Sequence, residues 1–252
     1  TFLFIRIKYR FWALQPVFHF YDLYYWCRNV GIIRHELPTT NRYTNFKDIR
    51  TYTFDKVPED NIREFTSLVQ QNYFREKDNI YKPEKQNITP YFEGHNSPSF
   101  WSFFWEPDVL IKVKTNETID TKLLVGVMTS RPLHVTIYKS QKSDNPATFD
   151  VFYVDYLCVK KGHRKKNIAP QLIQTHEYNQ RHGEHTIKVS LFKREDELTG
   201  IVPICAARVT AVNCHAYRNN LFSTKTKWLN SFEKATMAIE GLGELTNKVS
   251  AK

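Results

Sequence analysis

The sequence predicts an α+β fold, a central and mostly antiparallel sheet flanked by helices. Three observations carry it: apolar residues at helical spacing between residues 58 and 73, strand-like runs from 122 to 159, and a helix and strand that follow a turn crowded with basic side chains. With 252 residues, 41% of them apolar, the chain can bury a core of its own. No internal repeat or low-complexity tract divides it, and residues 1–252 are read as a single domain.

The first 30 residues are dense in aromatics, among them Phe11, Trp12, Tyr24 and Trp26, and such a segment must lie against a core or a ligand. From Pro58 to Tyr73, the residues Ile62, Phe65, Leu68, Val69 and Tyr73 line one helical face. Glu59 and Asp60 sit where the positive end of the helix dipole favours acids. Ser97 followed by Pro98 predicts the start of a short aromatic helix through Phe100, Trp101, Phe103 and Phe104. The runs KLLVGVMTS (122–130) and LHVTIYK (133–139) are separated by Pro132. With ATFDVFYVDYLCV (147–159), which follows the turn-like 143–146, they predict three strands of a meander. A helix from about Ile168 to Arg181 and a strand TIKVSLF (186–192) come next, and Trp228, Phe232 and Ala235 repeat at helical spacing.

A formal charge of +10 points to anionic partners: nucleic acid, an acidic membrane face or a phosphate-bearing small molecule. Cys27, Cys158, Cys205 and Cys214 include no CxxC pair and fit neither a zinc ribbon nor a dense disulfide framework, which suits a reduced, cytoplasmic setting. The opening TFLFIRI is broken by Arg6, and no apolar run reaches the roughly 18–20 residues of a membrane span. His163, His176, His182 and His185 lack metal-ligand spacing and read as surface histidines, so no metal is expected.

Six of the seven positions from Lys160 to Lys166 are basic or histidine, between a strand ending at Val159 and a helix starting near Ile168. Pro170 falls in the first helical turn, where its missing N–H costs nothing. A helix N-terminus offers unpaired N–H groups and a positive dipole end, and a basic loop feeding it adds charge, which together suit a pyrophosphate. Gly162 and Asn167 are the residues expected in the left-handed region, where consecutive N–H groups can converge on an anion. The spacing Arg164-x-x-Asn167-x-Ala169 approximates the RxxGxG/A pattern with which acyl-CoA-dependent N-acyltransferases of the GNAT superfamily hold the CoA pyrophosphate, with Asn in place of a glycine. From these residues alone, a solvated basic loop or part of a nucleic-acid patch fits as well.

The wider stretch is more specific. YLCVKKGHRKKNIAPQLI (156–173) resembles, without a gap, the FLCVHKKLRSKRxAPxLI signature of the glycylpeptide N-myristoyltransferases. Leu157, Cys158, Val159, Lys161, Arg164, Lys166, Ala169, Pro170, Leu172 and Ile173 coincide. In family order, YRFWALQPV (9–17) is similar to FWDTQPV, and NYFREKDNIYK (72–82) to the NYVEDDDNMFR loop. SPSFWSFFWEP and KLLVGVMTSRPLHVTIYK likewise resemble the two motifs that follow.

The resemblance implies a GNAT-like acyltransferase fold, with myristoyl-CoA as acyl donor and the N-terminal glycine of a protein as acceptor. It implies partners to match, acyl-CoA and N-terminal glycine peptides, with transient membrane proximity and no nucleic acid. By position, the backbone N–H groups of Tyr156 and Leu157 form the oxyanion hole that stabilises the thioester carbonyl in the transition state. Tyr9, Arg10, Phe11 and Trp12 cover the CoA, and Cys158, Val159, Arg164, Lys165, Lys166, Asn167, Ile168, Ala169 and Pro170 hold it. Tyr73, Phe74, Glu76, Asp78 and Tyr81 fall in the peptide loop. Arg75 and Lys77 interrupt the acids of that loop, and Ala216 and Arg218 replace a Tyr and a His of the family's peptide site. Substrates with basic residues downstream are therefore expected to be less favoured.

The family's general base is a C-terminal carboxylate that closes a second half, and the resemblance here covers the first half, so the base is unassigned. One candidate, by analogy with the family, is a C-terminal carboxylate at Lys252, if the natural chain ends there. The other candidate is Asp155, but strict strand alternation places it on the face opposite Tyr156, and it reads as a structural carboxylate. Cys158 has no nearby His base in sequence and also reads as structural. The chain is thus expected to be an N-myristoyltransferase-like acyltransferase; the alternative is an acyl-CoA-binding protein without catalysis.

Overall fold

The computed structural model describes residues 7, 10–17, 34–73, 83–112, 117–137 and 147–192. The helical spacing of Trp228, Phe232 and Ala235 lies outside them, as do Tyr9, Phe74, Glu76, Asp78 and Tyr81. The chain divides into two compact units, one made of residues 31–132 and 151–195, the other of residues 1–30, 133–150 and 196–252.

Five strands form one sheet: β1 (Ile49–Thr53), β2 (Phe100–Lys112), β3 (Glu117–Ile137), β4 (Ala147–Val159) and β5 (Ser190–Phe192), in the order β1-β2-β3-β4-β5. β1 with β2 and β2 with β3 are antiparallel, and β5 joins β4 in parallel. The helices are α1 (Glu59–Asn72), a short α2 (Lys85–Ile88) and α3 (Ile168–Gly183). The α+β class with a mostly antiparallel sheet flanked by helices is therefore as predicted.

The apolar stripe of α1 explains its place. Ile62, Phe65, Leu68 and Val69 form one core with Trp101, Phe103, Leu124, Val127, Tyr156 and Cys158 on one face of the sheet. Each such side chain, fully buried, contributes roughly 1.5–3 kcal/mol. The opposite face meets α3, whose Leu172 is fully buried and whose His176 reaches Ser102 and Ser130.

Two expectations fail, the first because both faces of the sheet are covered. The aromatic segment at 100–104 is not a helix but the start of β2. Trp101 and Phe103 enter the α1 core while Phe100, Ser102 and Phe104 are buried on the other side, so the run lacks the alternation that marks a half-exposed strand. Nor does Pro132 break the run from 122 to 137 into separate strands. The register of β3 with β2 ends at Ser130 opposite Phe100, so Pro132 lies where β2 no longer flanks β3 and disturbs no β2–β3 bond. The strand expected over 186–192 shortens to Ser190–Phe192, and β1 is an addition.

His176 is a correction of another kind. Instead of lying on the surface it is fully buried, and burial pushes its pKa down to about 3, so the ring is neutral. Ser130 Oγ donates to Gln180 Oε1 at 2.6 Å and so accepts from His176 Nε2 at 2.8 Å; His176 Nδ1 is left to accept from Ser102 Oγ at 2.8 Å. Ser102 Oγ lies 2.7 Å from Thr51 Oγ1, which takes a bond from Asn179 Nδ2 at 2.9 Å. Beyond Gln180, Nε2 donates to Ser190 Oγ at 3.0 Å, and Ser190 donates to Glu177 Oε2 at 2.6 Å. A single hydrogen-bonded chain thus runs through the α3–sheet interface with a consistent donor and acceptor at each link, and it fixes the Nε2–H tautomer of His176.

A second correction concerns β4. Tyr153 and Asp155 both meet Arg131, whose Cζ lies 5.5 Å from the Tyr153 ring and whose Nε bonds both Asp155 oxygens at 3.2 and 3.1 Å. In β3, Val127, Thr129 and Arg131 alternate onto the α1 face, since Val127 belongs to the α1 core. Alternation would turn Tyr156 away from that face, yet its ring meets Phe65 edge-on at 5.4 Å and Tyr73 at 5.4 Å. Asp155 and Tyr156 therefore share the α1 face, and the pleat of β4 is interrupted between them.

In the other unit, Trp12–Leu14 form a 3-10 turn, and the buried Phe11 meets Trp12 edge-on at 5.1 Å. His134 Nδ1 lies 2.8 Å from Asp150 Oδ1 on the surface.

Candidate functional site

The basic turn is positioned by an irregularity of the sheet and by a close crossing of α3. In β3, Phe104 pairs with Gly126 but Trp105 with Leu124, so Val125 is an extra residue and bulges. The Val125 carbonyl then accepts the Lys160 N–H at 2.9 Å, where β4 gives way to the 3-10 turn Lys161–His163. Beside it, α3 crosses close over Gly126: a Cβ there would lie 2.8 Å from Leu172 Cδ1 and 3.0 Å from Ile168 Cγ2. Only glycine lets the first turn of α3 lie this near the sheet.

From the turn the chain enters α3 through two left-handed residues, Lys165 (φ 67°) and Asn167 (φ 60°). Gly162, expected there, is not one of them; the left-handed position falls on Lys165 instead. The Asn167 side chain makes no capping hydrogen bond, no acid lies in the first turn of α3, and Lys165 and Lys166 are exposed. The contrast with α1, which carries Glu59 and Asp60 in its first turn, is direct. The positive end of a 16-residue helix is thus left open beside two exposed ammonium groups that pair with no acid among the described residues, an arrangement complementary to an anion.

Arg164 faces elsewhere. Its Nε donates to Val159 O at 3.2 Å and its guanidinium also to Asn72 O at the end of α1, while Asn72 Oδ1 accepts the Lys161 N–H at 2.9 Å. Arg164 and the buried Asn72 therefore clamp the turn to α1. His163 Nε2 is 3.3 Å from Glu106 Oε2, and its Nδ1 is buried with no partner among the described residues. We expect the two kinds of cation to separate experimentally. Lys165→Ala with Lys166→Ala should weaken binding of a diphosphate anion at least tenfold with an unchanged melting temperature, whereas Arg164→Ala should lower the melting temperature. Equal effects in both assays would contradict this division.

At the end of β4, the Tyr156 N–H bonds Thr129 Oγ1 at 3.2 Å, a side-chain hydroxyl and not a strand carbonyl. Cys158 is buried in the core, and burial pushes its thiol up to about 12, far from a nucleophile's range, in keeping with a structural role. Tyr73 donates from its hydroxyl to the Asp155 carbonyl at 3.3 Å.

A family model described as myristoyl-CoA:protein N-myristoyltransferase, N-terminal domain, matches residues 35–205, a span that includes all of these positions. The chain belongs to that family. Glycylpeptide N-tetradecanoyltransferase 2 of Bos taurus is 27% identical over 173 residues, which are 66% of this chain and 30% of the relative; the chain thus spans less than a third of that protein's length. Among solved structures, Saccharomyces cerevisiae N-myristoyltransferase with bound myristoyl-CoA is 16% identical with a TM-score of 0.49, over 73% of this chain and 38% of that one. A GNAT family acetyltransferase of Staphylococcus aureus is 10% identical with a TM-score of 0.38, over 66% of this chain and 99% of that one.

Within this N-myristoyltransferase domain, the structure brings together Tyr73, Tyr156 and Leu157 with Cys158, Val159 and the turn from Arg164 to Pro170. Arg10, Phe11 and Trp12 belong to the other unit. Sequence reasoning misses Asn72, Val125, Gly126 and Thr129, each of which acts by meeting a residue distant in the chain. Among the described residues, no three His, Cys, Asp or Glu side chains gather to hold a metal, and no helix is long and apolar enough to cross a membrane.

Proposed function

We propose that this chain binds a long-chain acyl-CoA, with its pyrophosphate on the open N-terminus of α3, and transfers the acyl group to the N-terminal glycine amine of a protein in the cytoplasm. The observation that carries the reading is the uncapped, acid-free start of α3 behind Lys165 and Lys166, in a chain whose family is defined by myristoyl-CoA. Exposed lysines and open N–H groups at one point suit a diphosphate better than the broad basic surface that nucleic acid requires. The N–H groups of Tyr156 and Leu157 serve as oxyanion donors; that of Tyr156 must first exchange the Thr129 hydroxyl for the thioester oxygen. Cys158, Val159, Ile168, Ala169 and Pro170 supply the backbone around the CoA, and Tyr73 begins the peptide side.

Mass spectrometry of a glycine-initiated peptide incubated with the full chain and myristoyl-CoA should show the peptide carrying one tetradecanoyl group, and the same peptide begun with proline should stay unmodified. Binding of myristoyl-CoA with no acylated peptide at any pH would contradict the transfer and leave a binding protein.

A further inference from the structure

Transfer from a thioester needs a group that takes a proton from the attacking ammonium, since an α-amine near pKa 8 is mostly protonated at neutral pH. Resting on the function proposed above, we propose that Asp155 is this proton acceptor.

The interrupted pleat puts the Asp155 carboxylate, held by Arg131, on the same face as the Tyr156 ring, and the two residues are adjacent in β4, so Asp155 immediately precedes the N–H proposed to hold the thioester oxygen. Its side chain is 14% exposed, enough to be reached without being solvated. The carboxylate is held by Arg131 of β3, through Nε at 3.1 and 3.2 Å. Tyr153 of β4 and Tyr91 flank Arg131 at 5.5 and 5.8 Å, and Tyr73 at the end of α1 bonds the Asp155 carbonyl. The charged and titratable groups facing it are thus Arg131, His95, Tyr73, Tyr91 and Tyr153. Burial raises its pKa to about 6, with Arg131 and His95 opposing the rise. A base poised there is ionised at neutral pH yet basic enough to accept a proton.

The atoms balance. The ammonium gives one proton to the Asp155 carboxylate, and the freed lone pair forms a C–N bond with the thioester carbonyl carbon. The C–S bond breaks, and the leaving CoA thiolate takes the second proton as the nitrogen becomes an amide. Asp155 then returns its proton to solvent.

The test follows single-turnover transfer from myristoyl-CoA to a glycine-initiated peptide between pH 5 and 9, with myristoyl-CoA affinity and melting temperature measured on each protein. For the unaltered chain, the rate should rise through pH 6 and level off. In Asp155→Asn it should fall at least about a hundredfold, and what remains should rise only near pH 8, with the amine's own titration. Arg131→Gln removes the nearest opposing charge, so the rising limb should move to higher pH; this profile decides the matter if Asp155→Asn does not fold. Turnover of Asp155→Asn within about threefold of the unaltered chain overturns the proposal while leaving the transferase reading intact, as does an unmoved limb in Arg131→Gln. Absence of turnover in the unaltered chain overturns both, and loss of myristoyl-CoA binding in Asp155→Asn overturns the assignment by making Asp155 a binding residue.

Discussion

Replacing His176 with Phe is expected to destabilise the protein by about 2–4 kcal/mol at pH 7, with the loss shrinking in acid. The ring sits at the centre of the hydrogen-bonded chain across the α3–sheet interface, and its removal takes one partner from each of the buried hydroxyls of Ser102 and Ser130. Leaving a buried polar group short of a partner costs roughly 1–3 kcal/mol, and both serines keep another bond, to Thr51 and Gln180. The pH dependence follows from the ring's depressed pKa. An unfolded histidine takes its proton near 6.5, whereas the buried one resists until about 3, so its stabilisation is fully present above pH 6.5 and drains away as pH falls toward 3. At pH 5 roughly 2 kcal/mol of it is gone. Asp155 and Glu177 act the other way, because burial raises both: what they contribute is present in acid and is lost as pH rises, for Asp155 through about 6. The unaltered protein shows the sum, and the difference between it and His176→Phe isolates the histidine. Urea unfolding at pH 7 and pH 5 measures both; a gap that does not narrow in acid would mean that the ring is not buried neutral.

Gly126→Val should cost about 1–3 kcal/mol and weaken CoA binding as well, which couples the packing of the fold to the site. The atoms in the way, Leu172 Cδ1 and Ile168 Cγ2, are ends of flexible side chains, but Leu172 is fully buried and Ile168 nearly so, leaving them nowhere to turn. Relief requires α3 to lift from the sheet at its first turn, carrying Asn167 and the open N–H groups with it. Thermal melting with CoA titration tests both effects. Affinity unchanged in a folded Gly126→Val protein would show that the position of α3 on the sheet does not set the anion site.

What the sequence reveals and what it hides follow a physical line. The basic turn is legible because its strand end, cations and helix start lie within one contiguous stretch, Val159 to Pro170. The stripe of α1 is legible because one face is wet and the other dry. β2 is misread as a helix since residues on both its faces are buried, and a doubly buried run carries no period. His176 is misplaced because its partners lie 74 and 46 residues away, and only the assembled sheet shows that a polar stripe of α3 is an interior one. The pleat break at Asp155 and Tyr156 is equally hidden, since the side on which a strand residue emerges depends on neighbours that local alternation does not contain. That break removes the reason for setting Asp155 aside as the base.

The central claim, that the start of α3 seats an acyl-CoA, is tested most directly by calorimetric titration of the full chain with myristoyl-CoA, at two salt concentrations, beside the Lys165→Ala, Lys166→Ala double variant. Saturable binding is expected, weakening with salt and falling at least tenfold in the double variant. Binding absent from the unaltered chain, or indifferent to both lysines, would contradict it.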